Sequence, residues 1–134
     1  MIKRSAILCF PLLLLLPLIL FASDDATFDR PHQNGSKSIR VEIDYGGLRP
    51  SRTIETGYDE GTSVLMLLRQ VAEVQTYQAG TFVFVKSIDK IKSEPGKMGW
   101  FYSIDGVKAK KLAGSCLLKA AKRMKWTYKA EACY

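Results

Sequence analysis

The chain has 134 residues, of which 47% are hydrophobic and 25% charged, with a formal net charge of +7. Once the N-terminal segment is set aside, these residues have room for one compact domain, so a single core is expected. Charge is uneven, because Asp24 to Val85 holds six Lys/Arg against nine Asp/Glu, whereas Lys86 to Tyr134 holds twelve against four. The basic part can attract anionic lipid, cell-wall polymer or nucleic acid, or can simply be a solvated sheet face.

The first 22 residues have the pattern of an export signal. Lys3 and Arg4 precede an apolar run from Ala6 to Ala22. The run is slightly shorter than the roughly 20 residues of a membrane span and contains prolines, so a signal peptide is expected over residues 1–22. Leu20 stands where a second small residue is usual before a cleavage site, which leaves an uncleaved N-terminal anchor as the alternative. We therefore expect an exported protein, secreted or otherwise extracytoplasmic.

A polar segment and two strands follow. Residues 23–37 are rich in polar and turn-forming residues, which is typical of a flexible spacer, so the domain is expected over residues 38–134. Ser38 to Tyr45 alternates apolar with polar or charged side chains and predicts the first strand. Gly46-Gly47 predicts a turn, and Arg52 to Thr56 predicts a short second strand.

The remaining elements are one helix and three further strand regions. Thr62 to Val74 predicts a helix, because its first residue suits an N-cap and apolar residues recur at helical spacing. Phe82 to Ile88 is aromatic and β-branched and predicts a strand. Met98 to Gly106 predicts a central strand that ends in an Asp-Gly turn. Cys116 to Lys119 and Met124 to Ala130 are predicted to pair as a closing hairpin. We therefore expect an α+β fold, with one mixed sheet of about five strands crossed by one helix.

Alternate side chains of the central strand face opposite ways. Trp100 is predicted to face the core, as is Trp126 on the last strand, whereas Phe101 points to the other sheet face. If the helix does not cover that face, Phe101 can stack on a flat ligand or a sugar, framed by Lys125 and Lys129. The alternative is a solvated basic face that tolerates one aromatic residue.

The sequence offers no recognisable catalytic or metal-binding arrangement. His32 is the single histidine and falls in the spacer, so no nucleophile is paired with a histidine base. The adjacent acids Asp59 and Glu60 lack the spacing of metal ligands. We therefore expect a protein that is not an enzyme and has no metal site.

Cys116 and Cys133 remain after export, and two cysteines in an oxidising compartment favour a disulfide. If the closing hairpin turns near Ala121, Cys116 lies opposite Trp126, and Cys133 is about 23 Å further along an extended strand. Bonded cysteines have Cα atoms within about 7 Å of each other. A bridge therefore requires the tail to fold back, and free or intermolecular cysteines are the alternative.

Three stretches together resemble the transcobalamin C-terminal-like domain family, a β-grasp (ubiquitin-like) module of secreted and cell-surface proteins. Gly61 to Leu65 is similar to the helix-opening motif of the family, and Gly99 to Gly106 is similar to its central strand and turn. Leu118-Lys119, followed by Trp126 to Tyr128, is similar to its closing hairpin. One departure is that Ala120-Ala121-Lys122 replaces the acidic, glycine-containing turn of the family, which alters the turn chemistry there.

The resemblance implies a non-catalytic binding or interaction module at the cell envelope. In cobalamin carriers the related domain closes over a corrinoid held by a helical domain that this sequence does not contain, so cobalamin or another corrinoid is one candidate ligand and no cofactor is certain. The expected partner is a small ligand or an envelope protein, and nucleic acid is not expected. The alternative is a structural or adhesive module whose basic face contacts anionic polymer or membrane. The candidate ligand-binding residues are Lys97, Met98, Gly99, Trp100, Phe101, Lys125 and Lys129.

Overall fold

The computed structural model describes residues 36–131, which form eight strands, one α-helix and one 3-10 turn. The helix α1 spans Val64–Val71 and the 3-10 turn spans Ala113–Ser115. The strands are β1 (Lys37–Asp44), β2 (Arg52–Tyr58), β3 (Val74–Ala79), β4 (Phe82–Ile88), β5 (Ile91–Lys92), β6 (Met98–Ile104), β7 (Val107–Lys108) and β8 (Arg123–Ala130).

The strands of the described region form two sheets. The first sheet has five strands in the order β2-β1-β8-β6-β7, and the second has three in the order β3-β4-β5. In the first sheet β1 is antiparallel to β2 and parallel to β8, while β8 is antiparallel to β6. The prediction of an α+β, β-grasp-like fold, with a single mixed sheet of about five strands crossed by one helix, is therefore wrong. The central strand, the Asp-Gly turn after it and the Phe82–Ile88 strand are where they were predicted.

The second sheet exists because the helix ends earlier than its apolar pattern indicates. Ser63, rather than Thr62, caps the helix by accepting a hydrogen bond from the Met66 N–H at 3.2 Å. At the other end Ala72 is extended, with φ −145°, although its N–H still bonds to the Leu68 carbonyl at 2.9 Å. Residues 74–79 are thereby free to form β3 and to pair with β4, so the predicted helix over 62–74 contains a strand start.

One apolar core lies between the helix and the inner face of the first sheet. From α1 the buried side chains are Val64, Leu65, Leu67 and Leu68. The sheet contributes alternate residues of β1 and β8, as the period of two requires. These buried strand residues are Ile39, Val41, Ile43, Met124, Trp126 and Tyr128. Burial of this apolar surface is the main force that holds the helix on the sheet.

The predicted closing hairpin is also wrong. Cys116 to Lys119 does not pair with β8, because Leu117 bridges to Ser63 and the Leu118 N–H bonds to the Thr62 carbonyl at 3.0 Å. The segment instead turns at Lys119, which has φ 52°, and delivers β8 to its central place between β1 and β6. The edge of β8 that the hairpin partner was expected to occupy is paired instead with β1, in parallel orientation.

The β4–β5 turn is one of the contacts that anchor the second sheet to the rest of the domain. Asp89, at φ 47° in the β4–β5 turn, accepts hydrogen bonds from the Tyr45 hydroxyl and from the Glu73 N–H at 3.0 Å. The Arg52 guanidinium lies 3.6 Å from the same carboxylate, and Arg49 donates to the Asp89 carbonyl at 2.8 Å. This turn therefore ties the hairpin to the end of β1 and to the start of β2.

The predicted signal peptide over residues 1–22, most of the spacer, His32 and Cys133 lie outside the described residues. The Cys116–Cys133 bridge therefore stays a prediction, and within the described range Cys116 is a free thiol. Between residues 36 and 131 no helix is long and apolar enough to cross a membrane.

Candidate functional site

An open groove of about 1140 Å³ along the described chain is lined by residues of both sheets. One wall is the β3–β4 hairpin, where Tyr77 and Phe84 are the aromatic lining residues. The other wall is formed by β6 and the end of β8, with Phe101 and Lys129 among its residues. A small-molecule pocket has a typical volume of about 300 to 1,000 Å³, so this groove can hold a large ligand.

Three aromatic side chains of the groove are accessible or nearly so. Tyr77 and Phe84 stack with ring centroids 5.1 Å apart and planes only 16° apart. Phe101, which is 39% exposed, lines the groove from β6, where it alternates with the inward-facing Trp100. Aromatic faces at two walls of one groove can hold a flat or apolar ligand from both sides.

The strand that carries Phe101 is held rigidly by its inward-facing neighbour. The Trp100 ring contacts Tyr45 at 6.0 Å, edge to face, and Tyr128 at 5.2 Å. Its indole N–H also donates to the Ile91 carbonyl at 2.9 Å, which connects β6 with the second sheet. Because Trp100 is held by these three contacts, the backbone that carries Phe101 is held in place as well.

The groove has a positive charge. Lys86, Lys108 and Lys111 are exposed lining residues, and none of them belongs to an ion pair within the described range. Lys129 lies over the Phe101 ring, with its Nζ atom 5.2 Å from the centroid, in a cation–π contact. The carboxylate of Glu131 also lines the groove, but it accepts a hydrogen bond from the Gly96 N–H at 2.9 Å. The groove therefore favours ligands that carry negative charge.

A second, smaller depression of about 420 Å³ lies beside β1 and the start of β8. Arg40 is one of its cations and is already paired with Glu55 at 2.8 Å. Asp105 in the same depression accepts hydrogen bonds from the backbone N–H groups of Lys122 and Arg123 at 3.0 and 2.9 Å. These polar groups serve the fold, so the inter-sheet groove is the better candidate site.

Comparison with known families decides where the chain belongs. Residues 61–130 match the model of a family described as Domain of unknown function (DUF4430). The chain belongs to the DUF4430 family. No curated protein sequence matches it.

Two solved structures resemble this DUF4430 chain at low sequence identity. A proposed metal-binding protein from Ruminococcus gnavus ATCC 29149 superposes with a TM-score of 0.55 at 15% identity, over 72% of this chain and 99% of its own. Haptocorrin in complex with Cbi superposes with a TM-score of 0.53 at 11% identity, over 73% of this chain. The match covers only 27% of the haptocorrin chain. At these identities the likeness shows the fold, and with the family match it confirms the predicted resemblance to the transcobalamin C-terminal-like domain family.

The structure brings together only part of the predicted site of the DUF4430 domain. Gly99, Trp100, Phe101 and Lys129 line the groove, whereas Lys97, Met98 and Lys125 do not. Met98 is paired through its backbone with Glu94, and the Lys97 carbonyl accepts the Glu131 N–H at 3.0 Å. The Lys125 ammonium is 2.9 Å from Glu42 and 3.9 Å from Asp44, so acidic side chains of the neighbouring strand engage it.

The second-sheet wall was missed by sequence reasoning. Tyr77, Phe84 and Lys86 line the groove, but Tyr77 belongs to a strand that was not predicted, so nothing suggested that these residues face Phe101. A signal for this strand was present in the sequence, because Val74, Thr76 and Gln78 stand at every second position. This spacing fits a strand, but the segment fits the last turn of a helix equally well.

The titratable groups near the groove are suited to structural roles. Burial raises the pKa of Tyr102, with a further increase from its hydrogen bond to Cys116 and from the thiolate charge there. The Tyr102 hydroxyl donates to the Lys111 carbonyl at 2.6 Å, so this tyrosine stays neutral and holds the loop after β7. Within residues 36–131 no group of three or more His, Cys, Asp or Glu could hold a metal ion.

Proposed function

We propose that this DUF4430 domain is a non-catalytic, exported binding module whose ligand occupies the inter-sheet groove against the β6–β8 wall. The observation that carries the proposal is the pair formed by Phe101, a fixed and accessible ring, and Lys129 above it. An aromatic face beside a cation suits a flat ligand with polar or anionic groups at its rim. Tyr77 and Phe84 supply a second aromatic surface across the groove.

A non-catalytic role is supported by the residues available. The described range contains no histidine, and the Tyr102 hydroxyl is engaged by the protein itself. A hydrolase of the Ser–His or Cys–His type needs a histidine base beside its nucleophile, and residues 36–131 offer no such pair.

A corrinoid is the first candidate ligand. The fold is that of a domain within haptocorrin, which was solved in complex with Cbi. The groove is large enough to contact a macrocycle along one edge, and its aromatic walls suit a flat ring system. Because this domain corresponds to about a quarter of haptocorrin, we expect it to cover one side of the ligand rather than enclose it.

Isothermal titration of the full chain with cobinamide and with cobalamin tests the proposal. Phe101→Ala should weaken binding by about tenfold, because a buried aromatic contact contributes roughly 1 kcal/mol beyond its area. Phe82→Ala is the matched control, since Phe82 is 59% exposed and is not a lining residue of the groove.

Two outcomes would contradict this assignment. Equal affinity of Phe101→Ala and Phe82→Ala would place the ligand elsewhere on the surface. Absence of any heat with either corrinoid, together with binding of anionic polysaccharide or anionic vesicles that disappears at high salt, would favour the structural or adhesive role of the basic face.

A further inference from the structure

The β4 strand presents an open edge to the groove. Ala79 on β3 and Phe82 on β4 are paired across the two-residue turn at Gly80, so these two residues exchange backbone hydrogen bonds with each other. In an antiparallel ladder the next residue, Val83, then directs its N–H and C=O away from β3. Val85 is the last residue of β4 before a one-residue register shift in this ladder. Within the described range no backbone hydrogen bond reaches these groups of Val83 or Val85.

The third strand of the second sheet stops before it can cover this edge. β5 has only two residues, which pair with Ser87 and Ile88. One further hydrogen bond runs from the Ser93 N–H to the Lys86 carbonyl at 2.8 Å, and the ladder ends there. The open stretch therefore begins immediately beyond Lys86, inside the groove.

The strand across the groove has a similar gap. Met98 exchanges backbone hydrogen bonds with Glu94 on the side of β6 away from β8, and the Tyr102 carbonyl accepts the Ala109 N–H on that side at 3.1 Å. Trp100 lies two residues from Met98 and two from Tyr102 along β6. Because backbone groups alternate in direction along a strand, its N–H and C=O also point away from β8. Residues of both strands line the one groove, which is therefore bordered by unpaired backbone groups on two strands.

We infer that the β4 edge of the groove binds an extended acidic peptide segment of a partner protein by strand addition. Backbone donors and acceptors that recur every second residue, at about 6.8 Å, are complemented by another extended backbone. The exposed lysines Lys86, Lys108 and Lys111 select acidic side chains on that segment. This inference goes beyond the proposed function, since it rests on the backbone groups of the β4 edge and on Lys86, Lys108 and Lys111 rather than on the Phe101–Lys129 pair.

Fluorescence anisotropy of the full chain with labelled Glu-Val-Glu-Val-Glu-Val tests the inference. The same peptide with N-methyl groups on its valine nitrogens cannot donate those hydrogen bonds, and we expect it to bind at least about tenfold more weakly. A Lys-Val-Lys-Val-Lys-Val peptide should not bind, because its charge matches that of the groove.

Charge reversal on the protein provides the second test. Lys86→Glu should weaken binding of the acidic peptide by about tenfold, whereas Lys92→Glu, on an exposed residue outside the groove lining, should leave it unchanged. Circular dichroism checks that both variants are folded. Equal binding of the N-methylated peptide, or equal effects of the two charge reversals, would overturn the inference, as would absence of binding of the parent peptide.

The two proposals fail separately in these measurements. Phe101→Ala should weaken corrinoid binding but leave peptide binding within about twofold, because the strand-addition contacts are backbone groups of β4 and lysine side chains and do not include this ring. If corrinoid binds and the peptide does not, only the strand-addition inference fails. If the peptide binds and no corrinoid does, only the small-ligand assignment fails.

Discussion

The two sheets of the domain are held in different ways. In the first sheet β8 lies between two partner strands and buries Met124, Trp126 and Tyr128 almost completely. In the second sheet β3 has no buried residue, and β4 is buried only at its end, at Ser87 and Ile88. The first sheet is therefore stabilised by full hydrophobic burial along its length. The second sheet is held mainly by half-buried contacts with the core, together with hydrogen bonds such as those of Asp89.

This difference in packing assigns the stability of the fold mainly to the first sheet and binding mainly to the second. Regions with few buried apolar contacts open at lower free energy, and binding surfaces are frequently drawn from them. The β3–β4 hairpin has accessible aromatic rings and an open backbone edge, both of which a fully packed sheet would cover. We therefore expect core substitutions to act mainly on folding and second-sheet substitutions mainly on binding.

The largest effect should come from the core of the first sheet. Met124→Ala removes a fully buried side chain on β8 and should lower the free energy of unfolding by about 3 kcal/mol, through lost burial and the cavity left behind. Val83→Ala, at a half-buried position of β4, should cost only about 1 kcal/mol. Urea unfolding monitored by circular dichroism measures both values. Equal losses would mean that the second sheet is packed as firmly as the first.

The next effect should come from the anchor of the second sheet. Asp89→Asn keeps a residue that tolerates positive φ but removes the charge opposite Arg52 and weakens the acceptor of the Tyr45 hydroxyl. We expect a loss of about 2 kcal/mol, together with faster amide hydrogen exchange in β3 and β4 than in β8.

Asp59→Asn is the control for this anchor. Asp59 is exposed, and its backbone carbonyl accepts a hydrogen bond from the Thr62 N–H. Among residues 36–131 its carboxylate has no hydrogen bond or ion pair. Its substitution should change the free energy of unfolding by less than about 0.5 kcal/mol. If amide hydrogen exchange became equally faster in both sheets of Asp89→Asn, the turn would not act specifically on the second sheet, and the prediction would be contradicted.

A smaller and pH-dependent effect should come from the tyrosine of the same anchor. Burial, and then the hydrogen bond and the charge of Asp89, raise the pKa of Tyr45 to about 12, from an ordinary value near 10. Since the folded state favours the neutral phenol, its contribution is complete below pH 10 and is lost between about pH 10 and 12, to an extent of roughly 2 kcal/mol. Urea unfolding at pH 9 and 11.5 should show a smaller alkaline loss for Tyr45→Phe than for the parent. An equal loss would contradict this origin, and Tyr77→Phe, at an exposed ring, is the control.

The sequence predicted the elements whose patterns are local. Alternation located β1, β4, β6 and β8 to within a residue or two, and the Asp105-Gly106 turn has the positive φ values that these residues favour. The second sheet was missed because the turn that closes β4 onto β5 uses Asp89-Lys90, which lacks glycine, and because an apolar run across residues 64–72 extends the helical pattern to the start of β3. Pairing of β8 with β1 joins residues more than 80 positions apart, and no local signal encodes it.

The candidate site divides in the same way. Phe101 and Lys129 were predicted together because strand alternation places both away from the core side of β6 and β8, and they are in contact. Lys125 satisfies the same alternation, but its acidic neighbours on β1 became visible only with the parallel pairing of β1 and β8. The sequence therefore predicted the part of the groove formed by the β6–β8 strand pair. It did not predict the part formed by β3 and β4, because that part depends on how the two sheets pack together.

The smallest expected effect lies on the exposed aromatic pair of the second sheet. Tyr77→Ala removes a ring that is 51% exposed and stacked on Phe84, so the free energy of unfolding should fall by only about 0.5 to 1 kcal/mol. Phe82→Ala, at a more exposed ring on the same hairpin, should change it by less than about 0.5 kcal/mol. Urea unfolding of both variants makes the comparison. A loss above about 2 kcal/mol for Tyr77→Ala would show that this ring supports the fold, and the groove wall would then have to be explained as core rather than as a binding surface.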